Sequence, residues 1–245
     1  MPTADSIVFL GTGNAFNGDG RGSQALLIRR QRGRSILVDA GPTVGMGLQR
    51  CSVDTAEIGQ VFITHLHGDH VAGWPFLLLH MVFLEGRSAS LEVLGPEGVE
   101  ACLGGLAELC YGDVFPGGKA PFPLRFRELA VREDDGVDCG DGVTVDILPL
   151  EHHPSSIGYC FHLGGKNVGI SGDTRWCPNL ERLARRSDVL VLECTTRSPG
   201  EAKHVSLDEI RGHADLFAER RTALVHLTDA IAEDLEGEPI AGVVA

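Results

Sequence analysis

The chain has 245 residues, with 21 Lys and Arg against 34 Asp and Glu, so its formal charge is −13 with histidine neutral. A net charge of this sign does not by itself attract nucleic acid. With 43% hydrophobic and 22% charged residues, the composition is typical of a globular protein and excludes the disordered and collagen-like classes.

Membrane and secretion signals are weak in this sequence. The longest apolar stretch, 71–84, contains Pro75 and His80 and is shorter than the roughly 18 residues that a membrane span needs. The N-terminal segment MPTADSIVFLGTG lacks a basic region, which predicts neither a signal peptide nor a transit sequence. The seven cysteines are odd in number and form no Cys-x-x-Cys pattern, which indicates reduced thiols. We therefore expect a cytoplasmic protein without membrane contact.

The first third of the chain predicts a meander of strands at 7–10, 23–29 and 35–39, with a hairpin turn at 31–33. Further along, strand-like runs alternate with helix-length segments. Strands are predicted at 60–64, 91–94, 123–131, 143–148, 158–163, 167–171, 188–193 and 222–226. Helices are predicted at 69–85, 97–110, 178–186, 206–219 and after Asp229. This mixture predicts an α+β fold, a two-sheet sandwich with helices on its outer faces, as one domain over 1–245.

Three further expectations concern a loop and the end of the chain. The Gly- and Pro-rich FPGGKAPFP at 115–123 is the only linker-like stretch, and its length predicts a loop. The last residues, 242–245, are expected to lack a further strand. The acidic tail from 227 onward predicts a solvated helix face.

Six of the ten histidines follow the ends of strand-like runs. They are His65, His67, His70, His152, His153 and His226. Strand ends with attached loops are places where polar side chains can converge without disrupting a core. The placement therefore predicts a metal site.

The strongest element of this pattern is THLHGDH at 64–70. Alternation puts His65 and His67 on one side of the departing strand, Gly68 permits a sharp turn, and Asp69 and His70 open the next helix. Imidazole nitrogens and a carboxylate oxygen suit Zn²⁺. Because these ligands exceed the needs of one tetrahedral ion, the motif predicts two ions, with surface histidines in a loop as the alternative.

Further ligands must come from other segments. Asp173, in ISGDT, follows a strand-like run and is a candidate carboxylate bridging two metals, with a simple turn as the alternative. His226 follows the apolar pair LV and is the candidate for the second ion.

These segments resemble metallo-β-lactamase-fold hydrolases and, within that superfamily, ribonuclease Z, the tRNA 3′-processing endonuclease, and related phosphodiesterases. The similar segments are FLGTG at 9–13, LVDAG at 37–41, FITHLHGDHVAGWP at 62–75, LGPEG at 94–98, SGDT at 171–174, LEC at 192–194 and LVHLT at 224–228. The histidine-then-Gly-Tyr segment at 152–159 and the His-x-Ser at 204–206 resemble ribonuclease Z in particular. The resemblance implies a four-layer αββα sandwich with the metals at one edge.

Carried over by position, the resemblance implies a ligand set. The first metal would be held by His65, His67 and His152, and the second by Asp69, His70 and His226, with Asp173 bridging. The family's ligand histidine lies six residues before the glycine of Gly-Tyr, here Gly158, which selects His152 and leaves His153 as the alternative. Asp39 resembles the buried carboxylate that orients the ligands, with a turn aspartate as the alternative.

The resemblance also implies the chemistry. Two ions sharing a hydroxide lower the pKa of the bound water towards about 7, and they neutralise charge on the phosphorus transition state. His204 resembles the histidine that protonates the leaving alkoxide, beside Glu193, and with Asp69 these form the predicted catalytic set. A position at the start of the next helix is the alternative for His204, while Ser206 and Glu209 predict a capping box.

The metals and the substrate are predicted less directly. Iron-using relatives have a carboxylate in place of His67, so two Zn²⁺ ions are favoured, with Mn²⁺ or Fe as alternatives. The stretch between LGPEG and the third motif offers one lysine, Lys119, in FPGGKAPFP, where ribonuclease Z carries a long basic arm. A small phosphodiester, cyclic or nucleotide-like, is therefore favoured over RNA. Ribonuclease Z proper, a lactone, thioester or sulfate ester hydrolase, and a non-catalytic binding module stay open, as does a homodimer.

Overall fold

The computed structural model describes residues 5–200 and 202–245. The expectation that the N-terminal segment is neither a signal peptide nor a transit sequence rests partly on residues 1–4, which lie outside the described residues. The described residues divide into two compact units. Unit 1 comprises the chain up to Gly11 together with 22–130, and unit 2 comprises 12–21 together with 131–245.

Unit 1 is built on a sheet to which its described residues contribute six strands, in the order β1-β2-β3-β4-β5-β6. The strands are β1 (Ser6–Gly11), β2 (Ala25–Arg29), β3 (Ser35–Val38), β4 (Ile58–Phe62), β5 (Leu91–Pro96) and β6 (Leu124–Leu129). The first three form the predicted antiparallel meander, and β3 to β6 are parallel. The helices are α1 (Val44–Arg50), α2 (Gly68–Val71), α3 (Trp74–Leu79) and α4 (Val99–Tyr111).

The helix predicted over 69–85 is instead broken into α2, α3 and a π-helical turn at His80–Leu84. The break follows from a close approach of two backbone segments. A Cβ atom on Gly73 would lie 2.1 Å from the carbonyl oxygen of Gly41, and the Gly73 N–H donates to Ala40 at 2.9 Å. The Ala40 N–H in turn donates to the carbonyl oxygen of His70 at 2.7 Å. The short helix α2 is therefore fixed against the end of β3.

Unit 2 is built on a second sheet, with seven strands among its described residues in the order β13-β12-β11-β10-β9-β8-β7. They are β7 (Asp134–Asp138), β8 (Thr144–Pro149), β9 (Ile157–Leu163), β10 (Lys166–Ile170), β11 (Val189–Glu193), β12 (Arg221–Val225) and β13 (Val243–Val244). Strands β7 to β10 are antiparallel, and β10 to β13 are parallel. The helices are α5 (Pro178–Arg186), α6 (Leu207–Gly212), α7 (Ala214–Phe217) and α8 (Asp229–Gly237).

Unit 2 confirms some expectations and corrects others. The capping box of Ser206 and Glu209 is present, but the helix predicted over 206–219 is divided at His213 into α6 and α7. The expectation that the last residues lack a strand was wrong, because Val243 pairs with Thr222. Two residues are too few for a periodic signal in the sequence. Strand β7 was not predicted either, because its sequence, DDGVD, is acidic, contains glycine and has no strand-like pattern.

The fold class is thus a mixture of helices and strands with two sheets, as predicted. FPGGKAPFP is a loop with one 3₁₀ turn at Pro116–Gly118. No helix within the described residues combines the length and apolar character that crossing a membrane requires. The extent of the domain, 1–245, stays a prediction.

Candidate metal centre

Unit 1 brings four of the predicted ligands together directly after β4. His65 and His70 are fully buried. The ring centroid of His65 lies 4.8 Å from that of His67 and 4.1 Å from that of His70. Asp69 Oδ2 lies 3.4 Å from His70 Nε2. The sharp turn from β4 into α2 gathers these side chains, as the sequence predicted.

Asp39, at the end of β3, supports this cluster. Its side chain is fully buried, and its Oδ2 lies 2.8 Å from His70 Nδ1. The backbone N–H of Thr64 donates to Oδ1 at 2.8 Å. The φ angle of Asp39 is +60°, a left-handed conformation that aspartate adopts more readily than most residues. The carboxylate thus orients His70 with Nε2 towards Asp69.

Unit 2 brings the remaining predicted ligands around one carboxylate. Asp173 follows β10 and is 3% exposed. Its Oδ2 lies 3.3 Å from His226 Nε2, 3.9 Å from His152 Nε2 and 4.0 Å from His204 Nδ1. His226 follows β12 with a φ angle of +60°. Backbone strain of this kind is concentrated at functional sites.

The two neighbouring histidines at 152 and 153 have different environments. His152 Nδ1 donates to the carbonyl oxygen of Lys203 at 3.0 Å, which leaves Nε2 as the nitrogen on the side of Asp173. His153 Nδ1 instead lies 2.7 Å from Ser155 Oγ. In unit 2, therefore, His152 faces the candidate bridging carboxylate.

His204 is paired with Glu193, as the resemblance implied. Glu193 ends β11 and is 1% exposed, and its Oε1 lies 2.8 Å from His204 Nδ1. The backbone N–H of Thr174 donates to the same oxygen at 2.8 Å. Burial raises the pKa of the Glu193 carboxyl, although its hydrogen bond with His204 opposes the rise.

Two residues that the sequence analysis did not single out take part in these contacts. Thr64 Oγ1 contacts both Asp39 and His65, and Thr195 Oγ1 contacts both Glu193 and His226. Thr64 is the first residue of THLHGDH, and Thr195 directly follows LEC. Their place in or beside a motif is the only sequence signal that points to them.

The donor sets fit metal ions. Ligand atoms about 2.0–2.2 Å from a tetrahedral zinc ion lie about 3.3–3.6 Å from each other. The pair Asp69–His70 at 3.4 Å in unit 1 and the pair Asp173–His226 at 3.3 Å in unit 2 match this separation. Both distances exceed the usual range of an N–H···O hydrogen bond. A carboxylate oxygen opposite an imidazole nitrogen at this distance suits a cation between them.

Comparison with known proteins gives a consistent result. Residues 6–244 match the protein family described as Anti-Pycsar protein Apyc1. Ribonuclease Z of Mycobacterium marinum (strain ATCC BAA-535 / M) is 29% identical over 195 residues, which are 76% of this chain and 68% of that protein. The crystal structure of human tRNase Z, short form, has a TM-score of 0.72 and 24% identity, covering 90% of this chain and 92% of that one. The metallo-β-lactamase fold protein YhfI from Bacillus subtilis has a TM-score of 0.72 and 18% identity, covering 97% of this chain and 94% of that one.

These similarities confirm the metallo-β-lactamase fold and the resemblance to ribonuclease Z that the motifs predicted. The chain is a hydrolase of the metallo-β-lactamase superfamily with clustered histidines and aspartates of the kind that bind metal. The family match extends over nearly the whole chain. The chain belongs to the family described as Anti-Pycsar protein Apyc1.

Proposed function

We propose that this chain is a dinuclear-zinc phosphodiesterase that acts on small phosphodiesters. In this proposal one ion is held by His65, His67 and His152, the other by Asp69, His70 and His226, and both by Asp173. The observation that carries the proposal is the carboxylate–imidazole spacing near 3.3 Å found separately in each unit. Mn²⁺ or Fe are alternative occupants of the same ligands.

The supporting residues prepare these ligands for metal binding. His70 Nδ1 donates to Asp39, and His152 Nδ1 donates to the carbonyl oxygen of Lys203. The Nε2 atom of each ring is therefore the one that binds metal. When bound, the ions would supply Lewis acidity, which activates water at neutral pH and stabilises charge developing on phosphorus. In this proposal Asp69 contributes to catalysis as a ligand of one of the two ions.

His204 is proposed as the general acid. Its Nδ1 is engaged by Glu193 at 2.8 Å, so Nε2 is the nitrogen that holds and delivers a proton to a leaving alkoxide. The side chain of His204 is 14% exposed, which leaves it accessible to a substrate atom. Glu193 is a positioning residue that fixes the ring by this contact.

The proposed substrate is small because the net charge of the chain disfavours a polyanion. The chain carries a charge of −13, and arginines of the β2–β3 hairpin are engaged within unit 1. Arg29 pairs with Glu57 at 2.9 Å, and Arg34 donates to the carbonyl oxygens of Ser90 and Ile58. Affinity for structured RNA grows with the number of phosphates neutralised. A cyclic or nucleotide-like diester is therefore favoured, and RNA is the second candidate because a relative is a ribonuclease Z.

The same proposal includes the cellular setting. A cytoplasmic location is supported by the seven cysteines, each of which lies in the described part of the chain as a free thiol. A homodimer is supported by exposed apolar side chains on the helical part of unit 1, among them Met46, Phe76 and Leu109. A single domain over 1–245 is supported by the family match at 6–244.

Metal content and reaction class test the proposal together. Metal-free protein reloaded with Zn²⁺ is expected to hold close to two ions per chain by elemental analysis, and to hydrolyse bis(p-nitrophenyl) phosphate in preference to lactones, thioesters and sulfate esters. At most one ion per chain after supplementation with Zn²⁺ or Mn²⁺ would contradict the dinuclear centre. Preferred cleavage of a lactone or thioester would contradict the phosphodiesterase assignment.

A further inference from the structure

The hydroxyl of Thr195 lies between a candidate ligand and a buried carboxylate. Thr195 Oγ1 lies 2.7 Å from His226 Nδ1, 3.0 Å from Glu193 Oε2 and 3.2 Å from the carbonyl oxygen of His226. A hydroxyl has one proton to donate. The Glu193 carboxylate is nearer than the carbonyl oxygen of His226 and is the stronger acceptor because it carries charge, so the proton goes to Glu193. Oγ1 then accepts the contact with the His226 ring, and the proton of that contact lies on Nδ1. The His226 lone pair is then on Nε2, the atom 3.3 Å from Asp173 Oδ2.

Unit 1 contains the same arrangement on a different sheet. Thr64 Oγ1 donates to Asp39 Oδ2 at 2.9 Å and lies 3.2 Å from His65 Nδ1. By the same count of protons, His65 carries its proton on Nδ1 and presents Nε2 as its lone-pair atom. Asp39 also accepts from a second imidazole, that of His70, at 2.8 Å.

The two units therefore repeat one pattern, in which an imidazole donates to a threonine hydroxyl and the hydroxyl donates to a buried carboxylate. In each unit the carboxylate also accepts from a second imidazole, His70 on Asp39 and His204 on Glu193. A shared carboxylate couples the orientation of the two rings that depend on it. In unit 2 this links the ligand His226 to the proposed acid His204.

We propose that Thr195 and Thr64 are positioning residues, each of which holds one ligand imidazole in the Nδ1–H tautomer by relaying a hydrogen bond to a buried carboxylate. The proposal rests on the proposed function only in treating these imidazoles as metal ligands. Outer hydrogen-bond partners of this kind commonly change metal affinity by about 10–100-fold. The hydroxyl thus selects which ring nitrogen binds the ion.

The neighbouring residue provides a matched control. Thr196 follows Thr195 directly, and its hydroxyl is buried without a hydrogen-bond partner among the described residues. Removing the Thr196 hydroxyl therefore breaks no hydrogen bond among those residues. Thr195→Val and Thr196→Val remove the same group, one residue apart, with almost no change of shape.

The first measurement uses metal-free protein, with nitrogen-15 chemical shifts of the histidine rings as the readout. Wild type, Thr195→Ser and Thr196→Val are expected to show His226 protonated on Nδ1. Thr195→Val is expected to lose this single tautomer and to populate Nε2–H. A Thr195→Val protein with the wild-type His226 signature would overturn the relay, whatever the protein binds or hydrolyses.

The second measurement is Zn²⁺ affinity by competition with a chelator. Thr195→Val is expected to weaken the binding of one ion by about 10–100-fold and to leave the other ion bound. Thr195→Ser should restore the affinity, and Thr196→Val should leave it unchanged. Equal losses of affinity in Thr195→Val and Thr196→Val would show a merely structural effect and overturn the proposal.

Should Thr195→Val fail to fold, Thr64→Val repeats the test in unit 1, with the nitrogen-15 shifts of the His65 ring as the readout. A wild-type protein that binds no metal would contradict the proposed function, whereas the tautomer result would still decide the relay.

Discussion

Replacing Asp173 with alanine is expected to abolish phosphodiester hydrolysis and to weaken the binding of both ions. The carboxylate is 3% exposed, and the ring nitrogens of His226, His152 and His204 all lie within 4.0 Å of its Oδ2. Loss of a shared ligand should exceed the roughly 10–100-fold loss typical of residues that only support a ligand. Activity on bis(p-nitrophenyl) phosphate and metal content by elemental analysis measure the two effects.

Asp188→Ala is the control for this variant. Asp188 precedes β11 and pairs with Lys166 at the start of β10, whereas Asp173 follows the carboxyl end of β10. Removing this exposed ion pair should leave activity and metal content near wild type. Normal turnover by the Asp173→Ala protein would remove Asp173 from the site.

Replacing His204 with alanine is expected to reduce activity in a way that depends on the leaving group. An alkoxide leaving group needs a proton, so we expect a loss of about 10²–10⁴-fold in its release. A p-nitrophenolate leaves without protonation, so its release should change little. Rates for an alkyl diester and for bis(p-nitrophenyl) phosphate, measured with the same metal-loaded protein, give the comparison.

Two further variants serve as comparisons for the His204→Ala result. Glu193→Gln keeps the shape of the side chain but weakens the contact with His204 Nδ1 at 2.8 Å, and it should give a smaller loss with the same dependence on the leaving group. His213→Ala removes an exposed histidine whose Nδ1 donates to the Glu209 carbonyl oxygen, and it should give no loss. An equal loss for both substrates in His204→Ala would exclude the role of general acid.

The sequence predicted the histidine cluster because its position after a buried strand determines where those side chains go. The sequence also predicted α5 at 178–186 with its observed limits, and proline in the first turn is typical of a helix start. The break between α2 and α3 was not predictable in this way. It depends on the contact of Gly73 with Gly41, two residues that are distant in the sequence.

The supporting contacts were predictable only in part. The resemblance pointed to Asp39 and to the pairing of His204 with Glu193, and both contacts are present. The relays through Thr64 and Thr195 depend on side-chain rotamers and on which atom donates the single hydroxyl proton. No periodicity or composition carries that information, so the hydrogen-bonding roles of these two residues emerge from the structure.

A kinetic comparison of precursor tRNA with small diesters tests the central claim most directly. With Zn²⁺-loaded protein, we expect ready hydrolysis of bis(p-nitrophenyl) phosphate. We expect precursor-tRNA cleavage to be slow and to need high enzyme concentration, because the net charge of −13 disfavours the binding of a polyanion. Efficient, site-specific removal of the 3′ trailer at nanomolar enzyme would contradict this account and would favour ribonuclease Z activity instead.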